Sequence, residues 1–315
     1  MTLEWPDLAA AQQPPWPDPI ALEESLSQLR KMPPLVFAGE CDQLTDRLAA
    51  AGRGEAFVLT GGDCAETFEA NTADSIRARL QTVLQMSVIL TYAASLPVVK
   101  MGRLAGQYFK PRSKTIETRD GVEMTSYLGD AVNSLEFEAG ARRPDPQRLL
   151  QAYHASGSAL NLVRAFTMGG FADLRQVHAW NQDFVRDSLA GQRYELMARD
   201  IDRALAFMQA CGADPDEFQR VEFYAAHEAL SMDYERALTR IDSRTGNPYD
   251  VSGHFLWVGE RTRQLDGAHV HFASTISNPI GMKVGPTAAP EDIVEAARVL
   301  NPNNIAGRLS LITRM

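Results

Sequence analysis

Six short apolar runs recur along this chain, and helical segments separate most of them. They span Phe57 to Thr60, Pro97 to Gly102, Val221 to Ala225, His254 to Gly259, Gly281 to Gly285 and Arg308 to Arg314. Apolar runs of this length between turn signals read as buried strands. Asp74 opens a long stretch, DSIRARLQTVLQMSVILTYAAS, whose apolar residues recur at three- and four-residue spacing, the period of a helix face. Another helix is expected with Asp145 as N-cap, Pro146 at N1 and a stop at Gly169-Gly170; further helices cover Arg193 to Gly212 and Pro290 to Leu300. Strands that alternate with helices pair in parallel, so the chain is α/β. Doubly wound sheet and barrel both fit this order. Neither G-x-G-x-x-G nor G-x-x-x-x-G-K-[ST] follows any strand, which argues against the nucleotide-binding form.

Ahead of the first strand lies a proline-rich extended arm (QQPPWPDP, KMPPLV). It carries one short helix at about Ile20 to Lys31 and a second at about Cys41 to Ala51. Residues 1–52 are therefore expected to form an N-terminal arm with short helices, and residues 53–315 the α/β domain. From Arg103 to about Asp145 the chain reads as a loop rich in glycine and charge.

In parallel α/β folds the chemistry sits at the carboxyl ends of the strands. The first strand presents Asp63, Cys64 and Glu66 there, and the second Lys100, Arg103 and, after a short loop, Lys110, Arg112 and Ser113. The third ends in His227 and Glu228, the fourth in Glu260, Arg261 and Arg263, the fifth in Lys283 and the sixth in Arg314. Four of the six supply cations, although the chain as a whole carries a net charge of −9. That net charge speaks against a broad basic nucleic-acid surface, so an anion site has to be local. Arginine forks bind phosphate and carboxylate in bidentate fashion and lysine adds a point charge. So many cations suit two phosphates, or one phosphate and a carboxylate. Cys64, by itself, fits a buried spacer, a nucleophile or a metal ligand, and His227 and His254 fit structural histidines.

Three cysteines without regular spacing make no disulfide framework, which points to a reducing, cytoplasmic setting. The absence of a long apolar run in the sequence points away from a membrane span. Residue patterns alone thus lead to an α/β enzyme acting on phosphorylated or acidic metabolites.

The segments PPLVFAGECDQL, EAFVLTGGDCAETF, PVVKMGRLAGQYFKPRS, FYAAHEAL, LWVGERTRQLDGAHV, NPIGMKVGP and GRLSLITRM resemble type II (plant-like) 3-deoxy-D-arabino-heptulosonate 7-phosphate synthases, in the family's order and over nearly the whole chain. The resemblance implies a (β/α)8 TIM barrel and condensation of phosphoenolpyruvate with erythrose 4-phosphate, the first step of the shikimate pathway to aromatic amino acids. It implies that Cys64 is a ligand to a divalent metal, manganese or cobalt. It assigns Arg103, Glu260, Arg261, Lys283 and Arg314 to phosphoenolpyruvate, and Lys110, Arg112 and Ser113 to holding the substrates, including the phosphate of erythrose 4-phosphate. A homo-oligomer is implied for the full-length enzyme.

The family's other metal ligands (a histidine, a glutamate and an aspartate, in segments of the DPMHGNT type) have no counterpart here. The sequence stops at Met315, directly after the sixth strand. About six of eight strand–helix units are therefore expected, with two open edges, as in a C-terminally truncated form of a larger enzyme. Two alternatives stand beside this reading: an aminoDAHP synthase of secondary metabolism, using an imino analogue of the sugar phosphate, and a catalytically inactive relative.

Overall fold

The computed structural model describes residues 5–172, 177, 180, 189–212 and 220–313. Its centre is one sheet of six parallel strands in sequential order, β1 (Phe57–Gly62), β2 (Val98–Arg103), β5 (Tyr224–Glu228), β8 (Phe255–Val258), β9 (Ile280–Val284) and β10 (Leu309–Thr313). Every neighbouring pair is parallel. Sequential parallel order with covering helices is barrel architecture. It is an open part of a barrel rather than a closed one, because β1 and β10 end the sheet. Central strands β5 and β8 are buried throughout, whereas Phe57 on β1 and Leu311 on β10 are exposed.

Helices α1 (Pro19–Leu29), α2 (Ala38–Gly52), α3 (Ala73–Ala94), α4 (Ala139–Arg142), α5 (Gln147–Met168), α6 (Leu189–Ala210), α7 (Met232–Leu238), α8 (Ala268–Thr275) and α9 (Pro290–Leu300) complete the described elements, with a short 3-10 helix at Trp5–Asp7 and two small hairpins. Local chemistry explains several boundaries. Asp18 caps α1 by accepting from the Ile20 and Ala21 amides, each at 3.0 Å. α2 starts earlier than its apolar pattern indicated, since Glu40 reaches back to the Phe37 amide at 2.8 Å and closes the first turn. Asp145 does bond the Gln147 amide, at 2.9 Å, but the helix itself begins at Gln147.

Two expectations need correction. The loop from Arg103 to Asp145 contains a hairpin, β3 (Ile116–Arg119) and β4 (Val122–Thr125), besides α4. Its turn is Asp120-Gly121, both with positive φ (49° and 80°), the Asp-Gly signal of a two-residue hairpin. The third strand lies three residues later than expected, so His227 and Glu228 are its last residues rather than residues beyond it. Phe223, which the apolar run would put inside that strand, instead packs over Gly102, where a Cβ would collide with its ring. A second unforeseen hairpin pairs β6 (Thr239–Ile241) with β7 (Pro248–Asp250).

Val99 and Met101, Tyr224 and Ala226, and Phe255 and Trp257 line the concave inner face, with Leu44 and Leu48 of α2. α2 lies across the amino ends of the strands, where Arg47 pairs with Glu222 just before β5. Outside, Leu256, Val258, Ile280 and Met282 pack on Val270 and Phe272 of α8 and Leu300 of α9. The arm packs rather than dangles: Trp5 meets Phe272 edge-on at 4.9 Å, and Gln13 bonds the Leu230 carbonyl and Met232 amide. No described helix is long and apolar enough to cross a membrane.

Candidate active site

Alternation along each strand decides which strand-end residues meet. Successive side chains point to opposite faces. The parity that turns Met101, Ala226 and Phe255 inward therefore also turns Arg103, Glu228 and Lys283 inward. Register sets Glu228, Trp257 and Gly281 abreast on three neighbouring strands. Trp257 Nε1 donates to Glu228 Oε2 at 3.2 Å, and Lys283 Nζ donates to the same oxygen at 2.9 Å. The Arg103 guanidinium and the Lys283 ammonium lie 5.1 Å and 5.0 Å from the Trp257 ring centroid, within cation–π range. Gly259 leaves room for this arrangement, since a Cβ there would run into the Glu228 carboxylate.

A second group lies on the adjoining loops. Arg261 Nη2 donates to Ser113 Oγ at 2.6 Å, linking positions 148 residues apart. Glu260 accepts from the Gly285 amide at 2.6 Å and Arg263 Nε at 3.1 Å, tying the loop after β8 to the loop after β9. Burial pushes the Glu260 pKa up, but the bonds from Arg263 and Gly285 carry it below the usual carboxylate value. Lys110 lies 5.9 Å from the Tyr127 ring centroid. The Arg112 amide donates to Gln12 Oε1 at 2.8 Å, and its guanidinium is 4.0 Å from Glu117.

Not every charged strand-end residue joins. Lys100 faces outward and lines a cavity with Leu84 and Val88 of α3, where burial depresses its pKa. His227 also faces outward, fully buried, with Nε2 3.3 Å from Glu235 Oε1. Burial likewise depresses its pKa, and this is a structural histidine. His254 Nδ1 accepts from the Ala225 amide at 2.9 Å, another structural role. Arg314 lies outside the described residues. Two contributors were not picked out from the sequence, Trp257 and Gln107, whose Oε1 accepts from the Glu228 amide at 3.0 Å. Trp257 was legible through its inward parity with Phe255; Gln107 gave no such signal.

Cys64 is exposed, which removes the buried-spacer reading, and its carbonyl accepts from Arg103 Nη2 at 2.9 Å. Its acidic neighbours are engaged elsewhere. Asp63 pairs with Arg79 at 2.8 Å, and Glu66 turns inward onto backbone amides. Among the described residues no three His, Cys, Asp or Glu side chains come together as a metal site. These residues alone do not fit a catalytic metal, which takes about three protein ligands, and no step is assigned to one.

Inward-facing cations at the carboxyl ends of sequential parallel strands define a barrel-type α/β protein suited to small, multiply charged anions. The chain belongs to the class-II DAHP synthetase family, matched over residues 1–315. It is 63% identical over 311 residues to a phospho-2-dehydro-3-deoxyheptonate aldolase of Streptomyces coelicolor, covering 99% of this chain and 69% of that protein. It is 51% identical over 311 residues to the phospho-2-dehydro-3-deoxyheptonate aldolase AroG of Mycolicibacterium smegmatis, covering 97% of this chain and 66% of that protein. The chain thus spans about two thirds of the length of both relatives.

Proposed function

We propose that this chain carries the phosphoenolpyruvate-binding part of a 3-deoxy-D-arabino-heptulosonate 7-phosphate synthase, which joins phosphoenolpyruvate to erythrose 4-phosphate. The observation that carries this reading is the inward cluster of Arg103, Trp257, Lys283 and Glu228. Its cations outnumber its one buried carboxylate, so the local field is positive in an acidic protein. A compact anion with a phosphate and a carboxylate matches that field. In the reaction the methylene carbon of phosphoenolpyruvate forms a bond to the aldehyde carbon of erythrose 4-phosphate. The aldehyde oxygen takes up a proton to become a hydroxyl, water adds at the phosphate-bearing carbon, and the bond from that carbon to the ester oxygen breaks, so inorganic phosphate leaves with that oxygen and a ketone remains.

Arg103 and Lys283 would hold the phosphoenolpyruvate anion over Trp257, with Glu228 keeping the Lys283 ammonium in place. Arg261, bonded to Ser113, would set the Lys110–Ser113 segment toward the sugar phosphate. Fixed cations of this kind screen repulsion between the two anionic substrates and hold the reacting carbons together. Residues 1–52 would act as an arm around the domain formed by 53–315, Gln12 bracing Arg112.

The test is a phosphoenolpyruvate titration followed by tryptophan fluorescence, with Trp257→Phe as the control that identifies the reporter. Saturable quenching is expected, lost in Trp257→Phe and shifted to roughly hundredfold higher phosphoenolpyruvate concentrations in Arg103→Ala. A wild-type chain whose fluorescence ignores phosphoenolpyruvate would refute the reading.

A further inference from the structure

Behind the cation cluster, a buried carboxylate organises the turn that connects its parts. Glu66 is 2% exposed. Its Oε1 accepts from the Ala105 amide at 3.0 Å, and its Oε2 from the Gly106 and Gln107 amides at 2.9 Å and 2.8 Å. The Glu66 amide returns a bond to the Gln107 carbonyl at 2.7 Å. Such a nest of amides around one carboxylate is a strong, directional anchor. It holds Ala105 at φ 67°, a left-handed conformation that a residue with a Cβ adopts only under constraint. Arg79 Nη1 stands 3.8 Å from Glu66 Oε1. His227 packs beneath the turn, where a Cβ on Gly106 would lie 2.5 Å from its Nδ1.

The anchored turn sits between Arg103, at the end of β2, and the Lys110–Ser113 segment. From it Gln107 Oε1 takes the Glu228 amide, and Glu228 in turn holds Trp257 and Lys283. A single carboxylate four residues past β1 is thereby linked, through the turn after β2, to Glu228 on β5, Trp257 on β8 and Lys283 on β9. We infer that Glu66 is a positioning residue for the anion site, acting through the Ala105–Gln107 turn and Gln107 on Glu228. This rests on the proposed function for what the site binds, but not for the geometry itself.

Two variants separate the claim from simple loss of fold. Glu66→Gln turns an amide group toward the backbone donors and breaks the nest. Gln107→Met keeps the backbone amides on Glu66 but removes the acceptor of the Glu228 amide, together with the Gln107 Nε2 bond to the Phe109 carbonyl. Well below the unfolding transition, each variant should weaken phosphoenolpyruvate binding roughly tenfold, and each should speed hydrogen exchange at the Glu228 amide. A merely structural role would lower the melting temperature and leave affinity in the cold unchanged. Folded variants that bind within twofold of wild type would overturn the inference. Should wild type ignore phosphoenolpyruvate, the functional reading falls, and the Glu228 amide decides on its own: faster exchange in both variants supports the relay, unchanged exchange overturns it.

Discussion

Lys283→Met and Glu228→Gln, singly and together, probe the ion pair at the heart of the site. At 2.9 Å the gross attraction is about 6 kcal/mol at an effective dielectric constant of roughly 20. Removing the Glu228 carboxylate from water takes back several kcal/mol. Lys283 keeps 32% of its side-chain surface exposed, so water continues to share its charge. The coupling that survives should be about 1–3 kcal/mol. Each single variant leaves a partner stranded and is expected to cost about 2–3 kcal/mol. The double variant should fall short of the sum by the coupling. Urea unfolding of all four proteins closes the cycle. Because the carboxylate is buried, added salt should change the coupling little. Costs that add to within about 0.5 kcal/mol would show that the two groups do not act as a pair.

Acid should weaken the amino end of the sheet through Glu40. Burial raises its pKa, but the hydrogen bonds from His254 Nε2 and the Phe37 amide, with the Arg164 charge, outweigh this and bring it to about 2. A carboxylate depressed on folding stabilises the native state above its ordinary value of 4.5, and that contribution is lost as pH falls toward 2. The full difference corresponds to about 3 kcal/mol. With the side chain 34% exposed, about 1–2 kcal/mol should remain. Glu40→Gln should flatten the decline in urea midpoint below pH 4.5, and an unchanged slope would rule the pair out as its source. Gly129→Ala tests backbone constraint beside the Lys110 segment. Gly129 has φ 101°, and a Cβ would strike the Tyr108 carbonyl. A loss of about 3 kcal/mol or more is expected in denaturant unfolding; an unshifted midpoint would contradict this close approach of the two backbone segments.

The six strands and their parallel pairing were legible in the sequence because hydrophobic period and turn chemistry are local properties. Most helix boundaries fell within a few residues for the same reason. Asp120-Gly121 announced its hairpin just as clearly, and the surrounding charge obscured it. The third strand was misplaced because Val221 and Phe223 are as apolar as Tyr224 and Ala225. Only pairing with β2 and β8 separates them, and Phe223 serves instead as a cover over Gly102.

The list of cations at strand ends was likewise set by the sequence, but it put Lys100 beside Arg103, and the structure turns these two to opposite faces of β2. Tertiary structure alone decided which groups touch. Glu228, Trp257 and Lys283 meet through inter-strand register, Arg261 finds Ser113 across 148 positions, and Glu66 gathers three amides from another strand's loop. Contacts of that kind depend on how strands are staggered and loops are closed. A one-dimensional pattern holds neither, because each is fixed by packing between residues far apart in the chain.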